Sequence, residues 1–148
     1  MAQELCLSLS AVLCGDACTP APAPAPSTST STPASAATSL SLRCEDVVDA
    51  IERPPESYTS VLDVVAFATS LPQTAPREKL LFSKSGLVVR AGRAFTLSVK
   101  AGSSTRIGWG HGAEPSECVV VPACEGERAW LAFVGGFWVK EPECVELV

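Results

Sequence analysis

No basic residue occurs before Arg43, and His111 is the only histidine in 148 residues. With 16 acidic side chains against 11 basic, a net charge of −5, the chain is not a general polyanion binder, and nucleic acid is not an expected partner. Aromatic residues make up 6% of the chain, so they cannot line an extended cationic stripe. No Gly-x-Ser-x-Gly, His-Glu-x-x-His or phosphate-loop pattern occurs. A serine triad would have one histidine to draw on. No long apolar run is present either: the one at 5–13 is too short to cross a bilayer as a helix.

What is there divides into three parts. Residues 1–18 hold the apolar run and read as a leader or signal-like segment, although Glu4 stands where a signal peptide carries Lys or Arg. Two explanations stay open: the true start lies upstream, or the run is an apolar end without an export role. A cysteine after such a run is the pattern of a lipid anchor, which makes Cys14 and Cys18 candidate lipidation sites beside plain cleavage. Residues 19–42 carry no charge and are rich in Pro, Ser, Thr and Ala, so they cannot bury enough apolar area to offset their ordering entropy. A disordered tether is expected there, its hydroxyls open to glycosylation.

Residues 43–148 are the foldable part. Hydrophobic residues form 47% of the chain and charged ones 18%, a balance that supports a core. Residues 44–51 allow two helical turns at most before Pro54 and Pro55. After Ser60 the pattern is that of strands: a β-branched apolar run at 61–68, short runs at 87–90 and 118–121, and strict alternation at 95–100. The expected fold is all-β, an antiparallel β-sandwich of immunoglobulin-like or jelly-roll-like type. Gly135 and Gly136 read as the tight turn of a C-terminal hairpin. That register would set Val134 opposite Phe137, Phe133 opposite Trp138, Ala132 opposite Val139 and Leu131 opposite Lys140. Both faces of such a hairpin are apolar, so it is either central in the sandwich or an aromatic binding face.

Charge alternates by segment. Residues 77–106 carry seven basic and one acidic group, residues 114–148 seven acidic and two basic, and residues 43–63 six acidic and two basic. Basic and acidic strands lying side by side account for this. The sharper alternative is an anionic ligand near Arg90, Arg93 and Arg106.

Four cysteines lie in the domain: Cys44, Cys118, Cys124 and Cys144. They permit three connectivities. Cys124 and Cys144 flank the expected hairpin, which favours bridging them and leaves Cys44 with Cys118. A zinc set of Cys118, Cys124, Cys144 and His111 lacks paired-ligand spacing, so no metal and no other cofactor is expected.

Several stretches also resemble a family of exported or lipid-anchored bacterial proteins of uncharacterised function: FSKSGLVVRAG at 82–92, IGWG at 107–110, VPAC at 121–124, WLAFVGGFWV at 130–139 and EPECV at 141–145. The resemblance implies an exported β-rich domain with cysteines at Cys124 and Cys144, and it implies no activity.

The functional expectation is a non-catalytic module, extracellular or held at the cell envelope, that binds a glycan or an envelope protein. Its candidate binding residues are Trp109, His111, Phe133, Trp138 and Lys140. Trp130 is a further candidate, although core filling is the ordinary use of tryptophan in a sandwich. The alternative is a small secreted hydrolase using His111 with a carboxylate. Exposed tryptophans on one flat face would favour binding, whereas His111 in a cleft beside a carboxylate of raised pKa would favour the enzyme.

Overall fold

The computed structural model describes residues 5–9, 39–68, 70–71, 74–77, 80–141 and 143–148. In chain order its strands are β1 (Leu5–Leu9), β2 (Ser39–Ser41), β3 (Asp49–Ile51), β4 (Tyr58–Val61), β5 (Val65–Ala68), β6 (Ser70–Leu71), β7 (Thr74–Arg77) and β8 (Leu80–Lys84). There follow β9 (Leu87–Arg90), β10 (Phe95–Ser98), β11 (Arg106–Trp109), β12 (Cys118–Val121), β13 (Trp130–Phe133), β14 (Gly135–Val139) and β15 (Val145–Leu147). The one helical element among the described residues is a 3-10 turn at Cys44–Asp46. The protein is all-β, as its alternating and β-branched runs lead one to expect.

A five-stranded sheet runs β3-β13-β9-β5-β4 and a four-stranded sheet runs β11-β14-β8-β7. The remaining strands form β10-β12-β2 and β15-β1-β6, linked where Val99 bridges Leu147 and Ser98 and Val148 exchange backbone bonds. Most pairings are antiparallel; β1 with β15 and β2 with β12 are parallel. All of these sheets turn apolar side chains onto one sandwich-like core. Leu97, Val119 and Leu147 come from the linked sheets, Phe67, Val89 and Phe133 from the five-stranded sheet, and Ile107, Phe137 and Val139 from the four-stranded one.

The two larger sheets are stitched by one bent ribbon. Leu87 opposes Phe133 in the first sheet; three residues on in one strand and three back in the other, Gly136 opposes Lys84 in the second. The register is unbroken across the bend, where the Ser85 N–H donates to the Gly135 carbonyl at 2.9 Å. This overturns the C-terminal hairpin expected from the glycine pair. β13 and β14 do not pair with each other; they lie in different sheets, and Gly135 and Gly136 sit inside β14. Glycine is required there by crowding. A Cβ on Gly135 would lie 2.2 Å from the Gly108 carbonyl oxygen, and one on Gly136 would lie 2.1 Å from that of Ser83.

The apolar run at 61–68 is likewise not one strand. Leu62 and Asp63 adopt φ of 52° and 53° and turn the chain between β4 and β5, with Val64 N–H donating to the Val61 carbonyl at 3.1 Å. Periodicity could not reveal this, because apolar β-branched residues continue through the turn. At the other end of the domain, Ser39–Ser41 is a strand and Leu42 is core, so the folded body takes in the last residues of the segment read as tether. In the segment read as a leader, Leu5–Leu9 pairs through its backbone with β15 and β6. Cys14, Cys18 and the tether up to residue 38 lie outside the described residues.

The cysteine pairing also differs. Cys44 is bonded to Cys124, with the Cα atoms 5.4 Å apart, so neither Cys124–Cys144 nor Cys44–Cys118 forms. Cys118 and Cys144 are disulfide-bonded as well. The expected pairing depended on a hairpin that would have returned Cys144 to Cys124. Instead, the parallel pairing of β2 with β12 runs the two chains side by side, Ser41 next to Val120, and delivers Cys44 to Cys124 a few residues later.

Candidate functional site

Among the described residues, the three tryptophans do not form an exposed platform. Trp109, on β11, is 1% exposed and packs edge-on against Phe137 at 5.4 Å and against Phe67 at 5.7 Å. Its Nε1–H donates to the Ser85 carbonyl at 2.8 Å, satisfying a buried acceptor where the ribbon bends. Phe133 is core on the facing sheet. Trp130 is 3% exposed on the outer face of the five-stranded sheet, clustered with Ala66 and Val88, and Arg90 stacks 5.3 Å from its ring centre. Lys140 is exposed beyond the end of β14.

Of the candidates, Trp138 borders a depression. Period-two geometry sends Phe137 and Val139 inward and Trp138 to the outer face of the four-stranded sheet, where it meets Phe82 with ring centres 4.8 Å apart. Together with Lys84, Val134, Gly108 and the Gly110–Gly112 loop these rings line a groove of about 370 Å³. Trp138 is only 7% exposed: Phe82 packs against its ring, and Gly108 lies so close that a Cβ there would come within 3.3 Å of it. Its ring is therefore a wall of the groove and not a stacking plate. Val134, 40% exposed, adds a second apolar side chain to the lining.

His111 does not line that groove, although Gly110 and Gly112 on either side of it do. Its side chain is 74% exposed, with Nδ1 3.4 Å from Oδ1 of Asp46, a carboxylate that is itself 7% exposed. Asp46 is gripped by Arg43, whose Nη2 donates to Oδ1 at 2.9 Å and Nε to Oδ2 at 3.2 Å. The Arg43 hydrogen bond, aided by the His111 backbone N–H, lowers the Asp46 pKa against the opposing pull of desolvation. Gly110, at φ 103°, presses on the same carboxylate: a Cβ there would lie 2.7 Å from Oδ2. The cluster ties the 3-10 turn beside Cys44 to the Gly-His-Gly loop. Neither Arg43 nor Asp46 was singled out from sequence; the clue was Asp46, a charged residue two positions after a cysteine.

The segregated charges are resolved as ion pairs between neighbouring strands and loops. Arg106 meets Glu117 at 2.7 Å, Lys100 meets Glu146 at 2.5 Å, Arg90 meets Asp63 at 3.8 Å and Arg128 meets Glu52 at 3.8 Å. Arg90 and Arg106 are thus engaged by separate carboxylates and do not converge on one anion. Among the described residues no group of His, Cys, Asp and Glu is placed to hold a metal ion, and Cys118, Cys124 and Cys144 are all committed to disulfides. No helix among them is long and apolar enough to cross a membrane.

Fold and site together define a disulfide-bearing all-β domain with a tryptophan-walled groove on one outer face. Compared with protein-family models, curated proteins and solved structures, the chain matches none.

Proposed function

We propose that this protein is an exported, disulfide-stapled, non-catalytic interaction module, held at the envelope or released outside the cell, whose ligand is another protein. The observation that carries the reading is the bonding of all four domain cysteines, since disulfides persist in oxidising compartments and stabilise small domains by about 2–4 kcal/mol each. Sugar binding draws less support, because no tryptophan offers an open face for stacking. The hydrolase alternative needs a carboxylate of raised pKa beside His111; Asp46 is shifted the other way by Arg43. A lipid anchor at Cys14 or Cys18 and the kinship with exported bacterial proteins belong to the same proposal.

The test is intact-mass analysis, with and without reductant, of native protein recovered separately from the cytosol and from the exported fraction. Exported protein that gains hydrogen only on reduction is the expected result. Cytosolic protein with free thiols at Cys44 and Cys124 would overturn the reading.

A further inference from the structure

The edges of the sheets are not treated alike. β7, at one edge of the four-stranded sheet, carries Pro76 and a register shift between Thr74 and Pro76. β3, at one edge of the five-stranded sheet, is short and begins at Asp49, whose carboxylate accepts the Ala50 N–H at 2.8 Å. Such features stop an edge from recruiting another strand. β4, at the other edge, has none of them: Tyr58, Thr59, Ser60 and Val61 are uncharged residues, with Thr59 and Ser60 exposed. Among the described residues it has a neighbour on one side only.

The backbone groups facing that open side follow from the ladder. Arg90 N–H donates to the Val64 carbonyl at 2.8 Å, so the Val64 carbonyl and, two residues on, the backbone groups of Ala66 point at β9, while the Val64 N–H closes the turn onto Val61. By alternation Val65 and Phe67 point at β4, which turns Val61 and Thr59 inward and Ser60 outward. Tyr58 N–H is already taken by the Pro55 carbonyl at 2.9 Å. The edge is left with two donors, Ser60 N–H and Leu62 N–H, and two acceptors, the carbonyls of Ser60 and Tyr58.

We infer that β4 is a dimerisation edge and that its partner is a second copy of this chain, paired antiparallel about a two-fold axis at Ser60. In that register Ser60 exchanges two bonds with its counterpart, and each Leu62 N–H meets the Tyr58 carbonyl of the other copy, using the whole set of free groups. Side chains agree with the backbone. Tyr58 and Ser60 share the outer face with Ala66, and Tyr58 packs on the cluster of Ala66, Val88 and Trp130. Leu62, 73% exposed in one copy, stands in that register opposite Tyr58 of the other, so pairing covers an apolar side chain that is otherwise in water. No charged side chain lies within β4 to oppose its own image, and Asp63 beyond it is held by Arg90.

Sedimentation equilibrium of the oxidised full chain tests this, with Ser60→Lys and Ser60→Pro as variants. Ser60→Lys sets two ammonium groups face to face across the axis. Ser60→Pro removes an outward N–H and keeps the inward ladder, and circular dichroism reports whether each variant is folded. A reversible dimer with a dissociation constant on the order of 100 μM is expected of a contact confined to one short edge strand. In Ser60→Lys it should weaken about tenfold or more. A monomer throughout the accessible range, or a dimer indifferent to a folded Ser60→Lys, would overturn the inference and leave the export reading untouched.

Discussion

The glycine pair in β14 and the Leu62–Asp63 turn exchange the roles their residue types suggest. Gly135 and Gly136 lie in an extended strand, and their missing side chains let the backbones of Gly108 and Ser83 come close. Leu62 and Asp63 hold positive φ, which glycine or asparagine occupies at lower cost, and they carry the chain from β4 to β5. Glycine in a strand and leucine in a turn follow from the same rule. Each site is set by what lies next to it in space, and turn chemistry read from residue type covers only the case where backbone conformation is the tightest constraint.

Three changes sharpen that contrast. The largest effect is expected from Gly136→Ala. If the position were a turn, alanine would be strained in φ alone; with a carbonyl oxygen 2.1 Å from the new methyl, the ribbon must part from β8, at a cost of about 3 kcal/mol or more. Urea unfolding checks it, and a loss below about 1 kcal/mol would return these glycines to a turn role. The opposite sign is expected for Leu62→Asn. Relief of the left-handed conformation should raise stability by about 0.5–1 kcal/mol, read as a higher urea midpoint at unchanged slope.

The smallest effect at neutral pH concerns Gly110, a third glycine, where positive φ and close packing on Asp46 act together. The carboxylate is held below its usual pKa by Arg43, so its contribution is present above the unfolded-state value and is lost as pH falls through the lowered native value. Wild-type stability should therefore decline below about pH 4, and Asp46→Asn should flatten that part of the curve. Equal acid limbs in the two proteins would remove Asp46 from the set of groups that secure the Gly-His-Gly loop.

Strand content was legible wherever burial alternated cleanly. Phe95–Ser98, Leu87–Arg90 and Cys118–Val121 lie where the pattern set them, because solvent on one side or packing on both leaves a mark of period two or an apolar run. The candidate site was less legible. Trp138 was named for its residue type, but its neighbours Phe82 and Lys84 lie more than fifty positions away and become adjacent only when β8 pairs with β14. Asp46, gripped by Arg43, meets His111 across a similar gap. Trp109 lies in the core with its N–H satisfied by the Ser85 carbonyl, a partner that no side-chain pattern announces.

Composition and local pattern alone established an all-β body, a charge-free Pro/Ser/Thr/Ala segment ahead of it, and a surface whose opposite charges occupy separate segments. These properties depend on each residue's own affinity for water and on its immediate neighbours. Tertiary structure decided which cysteine meets which, which tryptophans stay under cover, and that two adjacent glycines extend a strand. Those outcomes depend on how distant backbones approach one another, and a steric limit of that kind exists only once the sheets have been brought together.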